Sequence, residues 1–304
     1  MRSLSIKKIP VILDTDIGGD IDDTWALGFL LKCSEFDIKL ITTATDDTVI
    51  KAKLIAKFLE IAGRTDIPIG IGPSENRKKG KQYSWIKDYE LSEYSGTVYK
   101  NGMEALCSTI MESSDPITLI AIGPLGTVAG ALKMNPNITE NARFVGMHGS
   151  IRMGYRGAPS PYPEYNVRHD IQSAREVFHA PWEKTITPMD TCGNIVLSGE
   201  HFERIMNCDN AIVNSIKENF EIWAKKNDLT ELIAQDKKTS ILFDTVAIYL
   251  GFSEELLKIE DLKIEVTDEG MTKISENGNS IRCATSWKDV QAFKDLLVNR
   301  LVKS

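Results

Sequence analysis

The sequence predicts an α/β fold: a single domain in which a central, mostly parallel sheet is flanked by helices. Three observations carry this. Short β-branched runs alternate with longer helical patterns, as parallel strands joined by crossover helices require. Hydrophobic residues make up 42% of the 304 residues and charged residues 26%, enough apolar surface for a full core. Neither an internal repeat nor a low-complexity linker interrupts the chain, so residues 1–304 are expected to form one domain.

Val11–Leu13 predicts a buried strand, and Asp22–Lys32 a helix apolar around most of its circumference through Trp25, Ala26, Leu27, Phe29, Leu30 and Leu31. Strand Ile38–Thr43, helix Val49–Ala62 closed by Gly63, and strand Ile67–Ile71 follow. The stretch from Pro73 to Gly102 is polar and aromatic without a period and is expected to be a surface excursion or lid. Strand Ile117–Ile122 turns at Gly123-Pro124 into helix Leu125–Met134, and strand Ala142–Met147 ends at His148-Gly149. The Pro-, Gly- and Tyr-rich segment Gly154–Arg168 reads as a loop. Helices Ile212–Lys226 and Asp244–Leu250, strands Lys263–Val266 and Ile281–Ala284, and an amphipathic helix Trp287–Val302 complete the chain.

Charge and cysteine usage narrow the partners. A formal net charge of −7 argues against a nucleic-acid backbone or an anionic membrane as the main partner and leaves a small neutral ligand open. The five cysteines are odd in number, scattered and without a Cys-x-x-Cys pair, which suits a reducing compartment. The apolar run Pro10–Leu13 is too short for a signal peptide or a membrane span. A cytoplasmic location is the expectation.

The strongest chemical signal is Asp14-Thr15-Asp16-Ile17-Gly18-Gly19-Asp20-Ile21-Asp22-Asp23. Its carboxylates crowd a turn between a buried strand and a buried helix, and ligands of open α/β sheets bind beyond the carboxyl ends of strands. Like charges this close raise one another's pKa unless a cation or hydrogen-bond donors intervene. Gly18 and Gly19 let the backbone turn tightly enough for several side chains to converge. An all-oxygen, irregular donor set suits calcium better than zinc or magnesium. Helix capping would account for one or two of Asp20, Asp22 and Asp23, but not for Asp14 and Asp16 on the strand side.

This run, followed by Ala26-Leu27, resembles the aspartate fingerprint of the inosine-uridine-preferring nucleoside hydrolase family. The resemblance continues through Ile41-Thr42-Thr43, Ala62-Gly63-Arg64-Thr65-Asp66-Ile67-Pro68, Ile122-Gly123-Pro124-Leu125, Pro163-Glu164-Tyr165-Asn166 and Phe243-Asp244, in family order across nearly the whole chain. It implies a Rossmann-like core. It also implies a calcium site made by Asp16, Asp23, Asp244 and the carbonyl of Ile122. Asp22 would accept from the ribose 2′-hydroxyl, Glu164 and Asn166 would bind the sugar, and Met147 would line its pocket. Asp47 stands where the family has a further ribose contact and is equally placed to cap the helix after it. Asp244 in turn stands at the start of a helix, where an aspartate also caps.

The activity implied is calcium-dependent hydrolysis of the N-glycosidic bond of a ribonucleoside. Calcium would hold the attacking water with the ribose diol, and Asp16 would accept the water's proton. Where many family members have a histidine before the distal aspartate, this chain has Phe243, and the excursion has no histidine. Phe243, Tyr83, Trp85, Tyr89 and Trp223 are candidates to stack on a base, which would favour purines; packing is the competing role for each. His148 could reach the pocket or serve as a structural histidine. Two rivals remain: a non-catalytic nucleoside- or ribose-binding protein on the same scaffold, and a magnesium-dependent phosphatase with Asp14 as nucleophile. The family resemblance also implies a homo-oligomer, dimer or tetramer.

Overall fold

Alternation along the first strand sets up both faces of the molecule. In the computed structural model, which describes residues 7–303, Val11 and Leu13 join the apolar core on one face of the sheet while Ile12 joins the core on the other. The strands are β1 Ile9–Thr15, β2 Phe36–Thr43, β3 Ile69–Gly70, β4 Val98–Tyr99, β5 Ile117–Ala121, β6 Ala142–Met147, β7 Lys184–Thr187, β8 Leu257–Val266, β9 Thr272–Ile274 and β10 Asn279–Trp287. The helices are α1 Asp22–Lys32, α2 Thr48–Ile61, α3 Gly102–Glu112, α4 Gly126–Met134, α5 Tyr165–His169, α6 Ile171–His179, α7 Met189–Cys192, α8 Glu200–Met206, α9 Ala211–Lys226, α10 Thr230–Asp236, α11 Thr245–Leu250 and α12 Val290–Val302.

The strands form one sheet in the order β4-β3-β2-β1-β5-β6-β7-β10-β8-β9. Pairing is parallel from β4 through β10, and the β10–β8 and β8–β9 pairings are antiparallel, so among the described strands β8 alone runs against the others. The chain therefore winds one way from β1 to β4 and returns to place β5 on the other side of β1. The carboxyl end of β1 is a topological switch point, the crevice where doubly wound sheets bind ligands. The aspartate loop emerges there. Its helix α1 is buried from Asp22 to Leu30 and packs against α9, α11 and α12.

Several segments differ from the sequence-based expectation. The excursion from Pro73 to Gly102 is only partly a lid: Trp85, Tyr89 and Tyr94 are buried in the main core, and Val98–Tyr99 adds an edge strand. The Tyr94 hydroxyl donates to the Ile67 carbonyl at 2.6 Å, and the Trp85 indole N–H donates to Glu218 at 2.7 Å. The expected loop Gly154–Arg168 ends early, because Glu164 starts α5. No local pattern predicts α3, α6, α7, α8, α10, β7 or β9. β7 reads Lys-Thr-Ile-Thr, too polar to announce itself as a strand buried at every position.

Candidate functional site

The loop after β1 and the first turn of α1 together deliver four acidic side chains to one cleft of about 380 Å³: Asp16, Asp20, Asp22 and Asp23. The cleft is also lined by Asp46, Lys81, Ile122, Met147, Tyr155, Tyr162, Glu164, Tyr165, Asn166, Phe243 and Asp244. Asp22, Asp23 and Asp244 are buried, and each presents a carboxylate oxygen within 4.8 Å of the others. Asp22 and Asp23 occupy the first turn of α1, whose N-cap, Ile21, makes no side-chain cap bond. Asp244 precedes α11 in helical conformation and makes no side-chain cap bond either, so its carboxylate is free for the cleft. The capping alternative for Asp244 is thereby removed.

Burial is the foremost cause that pushes Asp22, Asp23 and Asp244 well above the usual carboxylate range, and mutual repulsion with Asp16 adds to it. Asp22 and Asp244 each present a carboxylate oxygen within 4.8 Å of the other's, and this closeness adds to the rise of Asp244. Burial also raises Asp16, with Lys51 pulling it back down. Lys51, a buried lysine of α2, donates to the carbonyls of Asp16 at 2.5 Å and Ile17 at 3.2 Å, bracing the loop from beneath. Its sequence signal was a lysine on the apolar stripe that also carries Ala52, Ile55 and Leu59. The Thr15 hydroxyl donates to Asp23 at 2.5 Å and fixes that carboxylate.

A divalent cation fits this donor set. The ligand atoms are all oxygen, several carboxylates converge in a buried place, and among the described residues lining the cleft Lys81 is the one cation. Asp16 shares the cleft with the tight cluster without belonging to it, and Asp22 takes the third place there. The Ile122 carbonyl lines the cleft and accepts from the Asn166 side-chain amide at 3.2 Å. That amide also donates to the Met147 carbonyl at 3.0 Å, so Asn166 ties together the ends of β5 and β6.

Glu164 is buried and caps α5, accepting from the backbone N–H groups of Asn166 at 2.6 Å, Val167 at 3.2 Å and Gly149 at 3.0 Å. Burial outweighs these bonds and lifts its pKa to about 7. Asp14 does not line the cleft. It is fully buried, accepts from the Thr42 hydroxyl at 2.6 Å, and is raised to about 7 chiefly by burial. An aspartate in that place is no nucleophile for a substrate, which removes the phosphatase rival.

Of the two places open to Asp47, the structure shows the cap. Its carboxylate caps α2 by accepting from the Ile50 N–H at 3.1 Å, and Asp46 lines the cleft instead. Thr45 and Asp46 both have positive φ, 59° and 50°, and this kink turns Asp46 inward. Of the two roles open to Trp85 and Tyr89, both take packing: they are core side chains and do not line the cleft. The aromatic face at the cleft is Phe243 stacked on Tyr155, centroids 6.0 Å apart, with Tyr162 and Tyr165 nearby. His148 is fully buried among Phe144 and Phe178, with Nε2 3.1 Å from the Gly123 carbonyl. Burial lowers its pKa to about 4, so it stays neutral and structural.

A mostly parallel α/β sheet with a carboxylate-floored cleft at its switch point places the chain among the α/β proteins that bind small ligands beyond the carboxyl ends of their strands. The chain belongs to the inosine-uridine preferring nucleoside hydrolase family, whose sequence profile matches residues 11–298. It is 29% identical over 205 residues to the non-specific ribonucleoside hydrolase RihC of Klebsiella pneumoniae subsp. pneumoniae, an alignment spanning 64% of this chain and 66% of that protein. It is 26% identical to the pyrimidine-specific ribonucleoside hydrolase RihA of Salmonella dublin, across 96% of this chain and 98% of that one. Its fold matches a plant nucleoside hydrolase with a TM-score of 0.81 at 19% identity, covering 98% of this chain and 100% of the other. It also matches the purine-preferring ribonucleoside hydrolase of Gardnerella vaginalis at 0.77 and 16% identity, covering 96% and 98%.

Proposed function

We propose that the protein hydrolyses the N-glycosidic bond of ribonucleosides with the help of calcium, releasing ribose and the free base. The observation that carries this reading is the buried Asp22, Asp23 and Asp244 cluster at the switch point of a chain in this family. Calcium, when bound there, supplies positive charge that orients water and the ribose diol. Asp23, Asp244, Asp16 and the Ile122 carbonyl would hold it.

The remaining steps belong to the protein's own groups. Asp22 accepts a hydrogen bond from the 2′-hydroxyl, and Asp46, Glu164 and Asn166 border the sugar. Water attacks C1′ as the bond to the base breaks, and the Asp16 carboxylate takes the water's proton. Positive charge on the ribosyl group develops in a cleft bordered by carboxylates, which stabilises it more than bulk water would. The Phe243–Tyr155 stack offers an aromatic face to the base, and the larger face of a purine gains more from it.

Ribose release from a panel of purine and pyrimidine ribonucleosides, with calcium and after chelation, tests the reading. Turnover that stops on chelation and returns with calcium is expected, with kcat/KM higher for inosine than for uridine. Tight nucleoside binding without ribose release would establish the non-catalytic rival, and a uridine preference would remove the purine assignment. A homo-oligomeric, cytoplasmic enzyme is proposed as well. All five cysteines are free thiols, in keeping with a reducing compartment, and among the described residues no helix is long and apolar enough to cross a membrane. Light scattering on the purified protein tests the assembly.

A further inference from the structure

Asp20, Lys81, Tyr155 and Phe243 line both the acidic cleft and a second cavity of about 760 Å³. They form the passage between the two. A base attached to a ribose on the carboxylate floor must point into this passage. Breaking its bond to C1′ leaves an electron-rich base, which departs faster if a donor gives it a proton or a charged hydrogen bond. Phe243 has nothing to give.

We propose that Lys81 supplies the proton to the departing base. Two features fix its backbone beside the aspartate loop, and a third holds its ammonium at Asn227 on the side of the second cavity. Its backbone N–H donates to the Gly18 carbonyl at 2.8 Å, so the excursion is docked on the aspartate loop at this residue. The next side chain, Gln82, is buried, accepting from the Thr24 hydroxyl at 2.8 Å and donating to the Asp20 carbonyl at 2.8 Å. The Lys81 ammonium donates to Asn227 Oδ1 at 2.6 Å, and the amide of Asn227 is itself oriented by donating to the Trp223 carbonyl at 2.7 Å. An ammonium has three donors. One goes to Asn227, which leaves donors for the passage that Asp20 and Phe243 share.

The step balances within the proposed reaction, on which this inference rests. The C1′–N bond breaks and its electron pair stays on the base; Lys81 gives that base a proton and becomes a neutral amine. Water bonds to C1′ and loses its proton to Asp16. Both groups return to their starting state through solvent, because Lys81 is exposed at the rim.

Lys81→Met and Lys81→Arg variants, assayed in calcium buffer on inosine, on uridine and on 4-nitrophenyl riboside, test this. The nitrophenolate leaves without a proton. Lys81→Met is expected to lose about 10²-fold in kcat on the nucleosides and less than about threefold on the aryl riboside, with Lys81→Arg intermediate. Equal losses on both substrate types at an unchanged melting temperature, or no loss at all, overturn the proposal. So does a nucleoside-selective loss in Tyr155→Phe instead of Lys81→Met. A wild-type protein inert toward all three substrates overturns the hydrolase reading itself, a distinct result.

Discussion

Gly80 of the excursion and Gly18 of the aspartate loop meet backbone to backbone: a Cβ on Gly80 would stand 2.4 Å from the Gly18 carbonyl oxygen. Gly80 has φ +72°, a conformation that side-chain-bearing residues rarely adopt. This contact joins two segments that the proposed chemistry needs together, the cation-binding loop and the passage residue Lys81.

Gly80→Ala adds a clash with backbone to strain at positive φ. It is expected to lower stability by about 1–2 kcal/mol and to cut kcat/KM about tenfold by releasing Lys81 from the passage. Thermal unfolding and nucleoside hydrolysis measure the two effects. An alanine variant with wild-type kinetics would show that the docking of the two loops is dispensable.

The carboxylate cluster makes the metal-free protein sensitive to pH in a defined direction. Burial raises Asp14 and Glu164 to about 7, and it also lifts Asp22, Asp23 and Asp244 well above the usual carboxylate range. A carboxyl with a raised folded-state pKa contributes stability that is full below its unfolded pKa and is lost as pH rises through the folded value. Metal-free protein should therefore lose stability as pH rises from about 4 through about 7. Calcium requires the ionised carboxylates, so the rise in melting temperature on adding it should be larger at pH 8 than at pH 5. Equal rises at both pH values would contradict this.

Asp244→Asn removes one charge from the cluster and one donor from the cation. At pH 8 the metal-free variant should be more stable than metal-free wild type, because less repulsion is buried, while nucleoside hydrolysis falls by about 10²-fold or more. Calorimetric calcium titration and chelated melting curves check the pair of effects. Retained activity would place the cation elsewhere.

Asp46 and Asp47 are neighbours with separate assignments. Asp47→Ala should cost about 1 kcal/mol through loss of the α2 cap and leave KM unchanged. Asp46→Ala should raise KM severalfold and cost little stability. The reverse pattern would restore Asp47 to the sugar.

His148, sealed among aromatic rings and lowered to about 4, should produce no inflection in the activity profile above pH 5. Its depressed folded-state pKa contributes stability that is present above the unfolded histidine range and lost as pH falls through about 4. NMR titration of its ring should show a neutral imidazole throughout the neutral range. A titration near pH 6.5 would contradict the burial argument.

Much of this molecule was legible in one dimension where local patterns coincide with the fold. The alternation of Val11, Ile12 and Leu13, the nearly all-apolar α1 and the crowded run from Asp14 to Asp23 each announce themselves within a few residues. Trp85, Tyr89 and Tyr94 misled for the opposite reason. Aromatics in an aperiodic, polar segment look exposed, and their burial depends on α2 and α9 lying beneath them. The strand Lys184–Thr187 was hidden because its neighbours, not its own composition, bury it.

The sequence by itself determined the class of fold and the place where carboxylates had to gather, since strand alternation, helix periodicity and like-charge crowding are properties of neighbours along the chain. The tertiary structure alone decided which aspartate faces the cleft and which caps a helix, whether Asp244 reaches Asp22, and that Lys81 stands over the passage. Those outcomes depend on distances between segments far apart in the chain and on a two-residue kink at Thr45 and Asp46, and no local pattern encodes either.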